Sequence, residues 1–252
     1  MEIGVLSDTG IIREINQDDY LIHQNGYQMF LVADGMGGHN CGEVASQMAV
    51  ELVSRHARQF LDQDVDPSKL TGILYEAFHR ANQKILEYAD MNRECMGMGT
   101  TLTMIWIKGC YGVIGHVGDS RIYVLRNKEL IQLTEDHSLV AELFRKGEIT
   151  EEEALIHPQK HVITRAMGID ETLRADFIPI ELQVGDVLML CTDGITNLIC
   201  DDELRNMLMR IDSAKEAARA MVNLANERGG HDNSTAMIIR QLLSDTEGGC
   251  SY

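Results

Sequence analysis

The chain is 252 residues long and 44% hydrophobic, with 39 acidic against 22 basic side chains and a formal net charge of −17. That acid excess excludes nucleic-acid binding through a basic surface, and no stretch reaches the roughly 18 consecutive apolar residues of a membrane-spanning helix. The apolar fraction suffices for a sizeable core, and three prolines with no low-complexity tract point to one compact unit.

The six cysteines, Cys41, Cys95, Cys110, Cys191, Cys200 and Cys250, show no CxxC spacing, which argues against a structural zinc site. Several lie in apolar segments, where a free thiol acts as a small hydrophobe. The opening Met1-Glu2-Ile3-Gly4 lacks a charged n-region followed by an apolar h-region. A reduced, cytoplasmic protein is therefore expected.

In chain order, residues 27–33 read as a buried strand, and apolar spacing at Ala45, Met48, Ala49, Leu52 and Val53 predicts a helix. Asp66 as N-cap and Pro67 as first helical residue open a second helix, whose stripe runs Leu70, Ile73, Leu74, Ala77, Phe78, Ala81 and Ile85. Residues 101–107, 111–116 and 121–125 are strand-like, with turns at Lys108-Gly109 and at Arg126-Asn127-Lys128-Glu129 before a strand at 130–133. Such close spacing predicts antiparallel hairpins. Residues 135–161 read as an insertion lying over the surface, with two short helices, the second opened by the capping box Thr150-x-x-Glu153. A strand at 186–191, a final helix capped by Ser213-x-x-Glu216 and a last strand at 235–239 complete the core, and 247–252 reads as a frayed tail. The fold class is α+β, with stacked antiparallel sheets and helices outside.

Asp34, Asp119 and Asp193 each end an apolar strand-like run, and Asp232 stands just before the last one. Aspartate is a poor strand former, and a carboxylate at a strand end is costly unless neutralised. One Asp-Gly is simply a turn signal. Four such carboxylates converging on one sheet end would repel one another, and a hard divalent cation with oxygen ligands relieves that repulsion. Nearby, Asp34-Gly35-Met36-Gly37-Gly38-His39 places glycines where backbone can approach an ion, making the Gly35 carbonyl a candidate ligand. With no Gly-Lys-Ser/Thr this is not a phosphate-binding P-loop. In the polar segment 7–19, Arg13 offers a planar fork of donors for phosphate oxygens, against the plainer reading of a surface salt bridge. Asp18 is a further candidate carboxylate, with Asp19 its competitor.

The stretches SDTGIIREINQDD, LVADGMGGHN, MGTTLT, GHVGDSRIYVLR, LTEDHSL, ITRAMG, LMLCTDGITN and GGHDNSTAMII resemble, in order and over nearly the whole chain, the bacterial branch of the metal-dependent type 2C (PPM) serine/threonine protein phosphatases. The resemblance implies a central antiparallel β-sandwich flanked by pairs of helices (four-layer α-β-β-α). It also implies a single catalytic domain over 1–245, a flap at about 135–165 and a disordered tail at 246–252. It implies two Mn²⁺ or Mg²⁺ ions. One is held by Asp34, Asp193 and Asp232, the other by Asp34 and the Gly35 carbonyl, with Asp18 acting through water. Asp119 with Asp193 matches a third-metal position, and Arg13 the phosphate-binding arginine. The implied reaction is hydrolysis of phosphoserine and phosphothreonine by direct attack of a hydroxide shared between the ions, opposing a bacterial Ser/Thr kinase in the cytoplasm. Phosphoprotein substrates and that kinase are the implied partners, with no nucleic acid, no membrane insertion and a monomeric chain. No cysteine has an arginine six residues later, the spacing of cysteine-dependent phosphatases.

One position departs from the wider family. Met36 stands where eukaryotic relatives carry the histidine proposed as general acid, and a thioether donates no proton. His39 and His161 are the candidate proton donors, alongside a metal-bound water and the plainer reading of solvated surface histidines. His157 and His161 have helical metal-ligand spacing, but Pro158 disfavours that helix, so the pair reads as flap residues. Two other functions compete: a catalytically silent phosphopeptide-binding module on the same fold, and a hydrolase of another phosphoester. Loss of the metal carboxylates would mark the former, and all of them are present.

Overall fold

Met29, Leu31 and Ala33 alternate with Phe30 and Val32, and all five side chains are fully buried. Successive strand residues face opposite ways, so a strand apolar on both faces must be covered on both. The computed structural model describes residues 1–24, 27–37, 41–60 and 67–240. The described strands are β1 (Glu2–Asp8), β2 (Asp18–His23), β3 (Gln28–Met36), β4 (Gly99–Thr100), β5 (Leu102–Lys108), β6 (Tyr111–Val117), β7 (Arg121–Arg126), β8 (Glu129–Gln132), β9 (Asp176–Glu181), β10 (Val187–Cys191) and β11 (Ser234–Arg240). The α-helices are α1 (Gly42–Arg58), α2 (Leu70–Met91), α3 (Leu139–Arg145), α4 (Glu151–Ile156), α5 (Asp193–Thr196), α6 (Asp201–Arg210) and α7 (Ala214–Glu227).

The strands form two antiparallel sheets, ordered β2-β3-β5-β6-β9, with β4 beside β3, and β1-β11-β10-β7-β8. Phe30, Val32, Ile105 and Ile114 of the first meet Ile122, Val124, Leu190 and Met237 of the second in the sandwich core. The opposite face of the first sheet, with Met29, Leu31, Met104 and Trp106, packs on Ala49, Val53, Leu74 and Phe78 of α1 and α2. Tyr123, Met189, Ala236 and Ile238 cover the outer side of the second sheet against Leu204 and Leu208 of α6 and Ala218, Met221 and Val222 of α7. The order of layers is thus helices, sheet, sheet, helices, as expected.

Several local expectations hold. Asn127 and Lys128 turn β7 into β8 with φ of 51° and 68°, the left-handed pair that a tight hairpin requires. Thr150 and Glu153 make the reciprocal capping box of α4, and Ser213 caps α7. α4 ends at Ile156, so no helix carries the His157–His161 pair. A 3₁₀ turn at Pro67–Lys69 leads into α2; the cap expected at Asp66 and the tail at 247–252 lie outside the described residues.

Other findings differ. The close strands at 101–133 are not one run of hairpins, because β6 and β7 belong to different sheets and the chain crosses the sandwich between them. Alternation that is apolar on both faces says nothing about which sheet a strand joins. The strands β1, β2 and β9 carry weak signals: β2 is polar, and β9 contains Pro179, tolerated because β9 is an edge strand. Finally, Cys41 and Cys95 form a disulfide across 54 residues, and Cys110 is disulfide-bonded as well. This corrects the expectation of free, reduced cysteines; among the described residues the free ones are Cys191 and Cys200. Packing α1 beside α2 brings the pair together, and spacing along the chain cannot reveal that.

Phe30→Ala opens a cavity between the sheets and is expected to destabilise the protein by about 3–5 kcal/mol. The urea midpoint should fall with the slope unchanged.

Candidate metal centre

Antiparallel register sets the first two carboxylates opposite each other, Asp18 at the start of β2 and Asp34 near the end of β3. Asp34 is fixed through its backbone. Its N–H donates to Thr101 Oγ1 (2.9 Å), and its carbonyl accepts from the Thr101 N–H and the Thr100 hydroxyl (both 2.9 Å). The second sheet supplies Asp193, which opens α5 directly after β10, and Asp232, just before β11. Asp119 lies in the crossing between β6 and β7, after Gly118 at a φ of 111° that favours glycine. One end of the sandwich thus collects carboxylates from both sheets.

Their electrostatics show how close they are. Burial, then the charges of Asp18, Asp193, Asp119 and Asp232, holds the Asp34 carboxyl well above the usual carboxylate range. Asp119 is raised in the same way by burial and then by Asp193. Burial pushes Asp18 up to about 7, although Thr235 and Thr192 hydroxyls, 2.6 and 2.8 Å from its Oδ2, work in the other direction. Asp193 is raised by burial and by Asp232. It is partly relieved by Asp34, by His161 and by Asn197, whose amide donates to Oδ2 at 2.8 Å.

Two oxygens test whether a cation fits. Asp18 Oδ1 and Asp193 Oδ1 are buried with no hydrogen-bond partner, and an unpaired buried acceptor costs about 1–3 kcal/mol or more when charged. Among the described residues no three acidic, histidine or cysteine side chains are already grouped so as to hold a metal ion. Half-buried and all-oxygen, the donor set suits a hard dication such as Mn²⁺ or Mg²⁺.

The remaining candidates fall into place unevenly. Arg13 Nη2 pairs with Asp232 Oδ2 at 2.9 Å, both side chains being partly exposed (46% and 36%). The salt-bridge reading of Arg13 is therefore what the structure contains, and it sets the guanidinium beside the cluster. His161 is exposed on the flap near Asp193; His39 lies outside the described residues. Gly35 has a reason to be glycine apart from any metal: a Cβ there would stand 2.1 Å from the Gly42 carbonyl oxygen.

Sequence reasoning missed the residues that brace the cluster. Asn233 joins β11 to the Arg13 loop: its amide donates to the Thr9 and Ile15 carbonyls and its Oδ1 accepts from the Gln17 N–H. His137, at the root of the flap, brackets Gly118 by donating its N–H to the carbonyl (2.8 Å) and accepting the Gly118 N–H at Nδ1 (3.1 Å). Thr192, Thr235, Asn233 and His137 all lie within the quoted motif stretches, which was the one signal available for them.

A family model for Protein phosphatase 2C matches residues 13–240. The Serine/threonine phosphatase stp of Listeria welshimeri is 39% identical over 239 residues, 94% of each chain. The crystal structure of the Mycobacterium tuberculosis serine/threonine phosphatase PstP/Ppp is similar with a TM-score of 0.85 and 34% identity, covering 94% of this chain and 97% of that one. A PstP catalytic domain in complex with 2 manganese ions is similar with a TM-score of 0.82 and 34% identity, covering 94% of this chain and 96% of that one. With a four-layer sandwich, half-buried aspartates at one end and these likenesses across almost its full length, the chain belongs to the protein phosphatase 2C family.

Proposed function

We propose that this protein hydrolyses phosphoserine and phosphothreonine in proteins, using Mn²⁺ or Mg²⁺ held by the aspartates at the sandwich end. The observation that carries the reading is the cluster itself: half-buried carboxylates from both sheets, two with an orphaned oxygen, inside the phosphatase family. Asp34, Asp193 and Asp232 would hold one ion, Asp34 and the Gly35 carbonyl a second with Asp18 through water, and Asp119 with Asp193 a third. Such ions, when bound, acidify water and screen the phosphate charge.

The chain's own residues do the rest. Arg13 stands beside Asp232, and its fork of donors can engage two phosphate oxygens once the ions neutralise that carboxylate. Thr192 and Thr235 hold Asp18 from the opposite sheet, keeping one of its oxygens turned to the cluster. His161, His39 or a water held by the ions would give a proton to the departing serine or threonine oxygen, a task that Met36 cannot perform. The flap at about 135–165 borders the cleft within one catalytic domain and shapes access for phosphoproteins. Every side chain invoked comes from a single subunit, so a monomer suffices. A Ser/Thr kinase would be the activity it opposes; no described helix is long and apolar enough to cross a membrane. A silent binding module would not need the full carboxylate set.

Three outcomes are expected. With Mn²⁺ the wild type turns over phosphoserine and phosphothreonine peptides in preference to nucleotides and phosphosugars, and Asp193→Ala abolishes this turnover. Arg13→Ala raises KM by about 10- to 100-fold, the loss of a charge-assisted hydrogen bond, with metal content by elemental analysis unchanged; loss of metal instead would refute the phosphate-binding role.

The third concerns pH. Asp18 titrates near 7 in the folded metal-free chain against an ordinary 3.8. Its contribution to stability is therefore full below the ordinary value and is lost as pH rises through about 7. A dication needs the ionised form, so the rise in Tm on adding Mn²⁺ should be larger at about pH 8 than at about pH 5. Equal shifts at both would count against metal binding at these carboxylates.

A further inference from the structure

Three isoleucines bracket Arg13 on the surface: Ile11, Ile12 and Ile15 are 64%, 63% and 57% exposed. Exposed apolar side chains that gather into one patch mark a contact surface. The loop that carries them is well tied. The Ile11 and Ile12 N–H groups donate to the Gly230 carbonyl at 2.8 and 3.2 Å, the Ile15 carbonyl accepts from Asn233, and the Gly10 N–H donates to Asp8 Oδ1 at 2.9 Å. Backbone pinned on this scale leaves little ordering entropy to lose when something settles on the side chains. The same loop carries Arg13, which reaches Asp232 of the candidate site.

We propose that Ile11, Ile12 and Ile15 form an apolar platform that receives a hydrophobic residue next to the phosphorylated side chain of a protein substrate. The inference rests on the phosphatase reading above and adds the substrate class. With the phosphate drawn to Arg13, residues on either side of it in an extended peptide pass within one or two residue lengths of the platform. Charge narrows the class: a chain of net charge −17 repels acidic flanks beside the phosphate. A second copy of this chain brings no phosphate to Arg13 and shares the same acidic field, which favours a phosphopeptide as the occupant.

Two phosphothreonine peptides, identical except for leucine or serine on both sides of the phosphothreonine, test this in the manganese-loaded full chain. The expected result is a kcat/KM about tenfold higher for the leucine peptide, carried mainly by KM, the effect of partly burying an aliphatic side chain. Combining Ile11→Ser, Ile12→Ser and Ile15→Ser brings the ratio of the two peptides towards one. The ratio is insensitive to how much protein is folded, and Ile12→Ser and Ile15→Ser alone should each lower it in part. Equal turnover of the two peptides by the wild type overturns the platform, as does a preference that survives the triple substitution. Self-association at assay concentration, removed by the same substitutions, assigns the patch to a second copy and overturns it too. Failure to hydrolyse either peptide or free phosphoserine would instead remove the phosphatase reading and the platform with it.

Discussion

Like charges held together out of water govern this molecule. Asp18, Asp34, Asp119 and Asp193 are half-buried at one end of the sandwich, and each is pushed towards its protonated form by desolvation first and by its neighbours second. A fold built only for stability would not gather them, since each buried carboxylate costs several kcal/mol unless paired. The arrangement makes chemical sense as a receptacle for hard cations, and the orphaned oxygens of Asp18 and Asp193 are the places where that demand remains open.

The two sheets share the task of holding the cluster. Asp18 and Asp34 come from neighbouring strands of one sheet, and Asp193 and Asp232 from the ends of two paired strands of the other. Two threonine hydroxyls cross the gap, since Thr192 and Thr235 of the second sheet reach Asp18 of the first. The Thr235 N–H in turn donates to Thr192 Oγ1 at 2.9 Å. Small polar side chains suit this position: they hold a carboxylate oxygen without filling the space beside it. The apolar interface of Phe30, Val32, Leu190 and Met237 supplies the rigidity that a cluster of repelling groups requires.

Outside the cluster, two attachments decide what the cleft can reach. Asn233 fastens the loop of Arg13 to the start of β11, one residue from Asp232, and so holds the guanidinium beside that carboxylate. On the other side His137 clasps Gly118, next to Asp119, and pairs with Asp176 at 3.0 Å, anchoring the root of the flap to the crossing between the sheets. The disulfide of Cys41 and Cys95 adds a third tie, between α1 and the turn after α2.

The sequence by itself determined the layered class and singled out carboxylates that the fold brings to one end of the sandwich. Strands apolar on both faces demand cover on both, and aspartates at the ends of such strands are too costly to be casual, which made Asp34, Asp119, Asp193 and Asp232 legible before any coordinates. The residues themselves also offered Arg13, Asp18 and an insertion at 135–161, to which the resemblance gave roles. Tertiary structure alone decided which sheet each strand entered, that Arg13 rests on Asp232, that Thr192 and Thr235 brace Asp18, and that Cys41 finds Cys95. The reason is physical: burial and alternation are local patterns carried by neighbouring residues, whereas pairing across 54 residues or across the gap between two sheets depends on how whole layers pack.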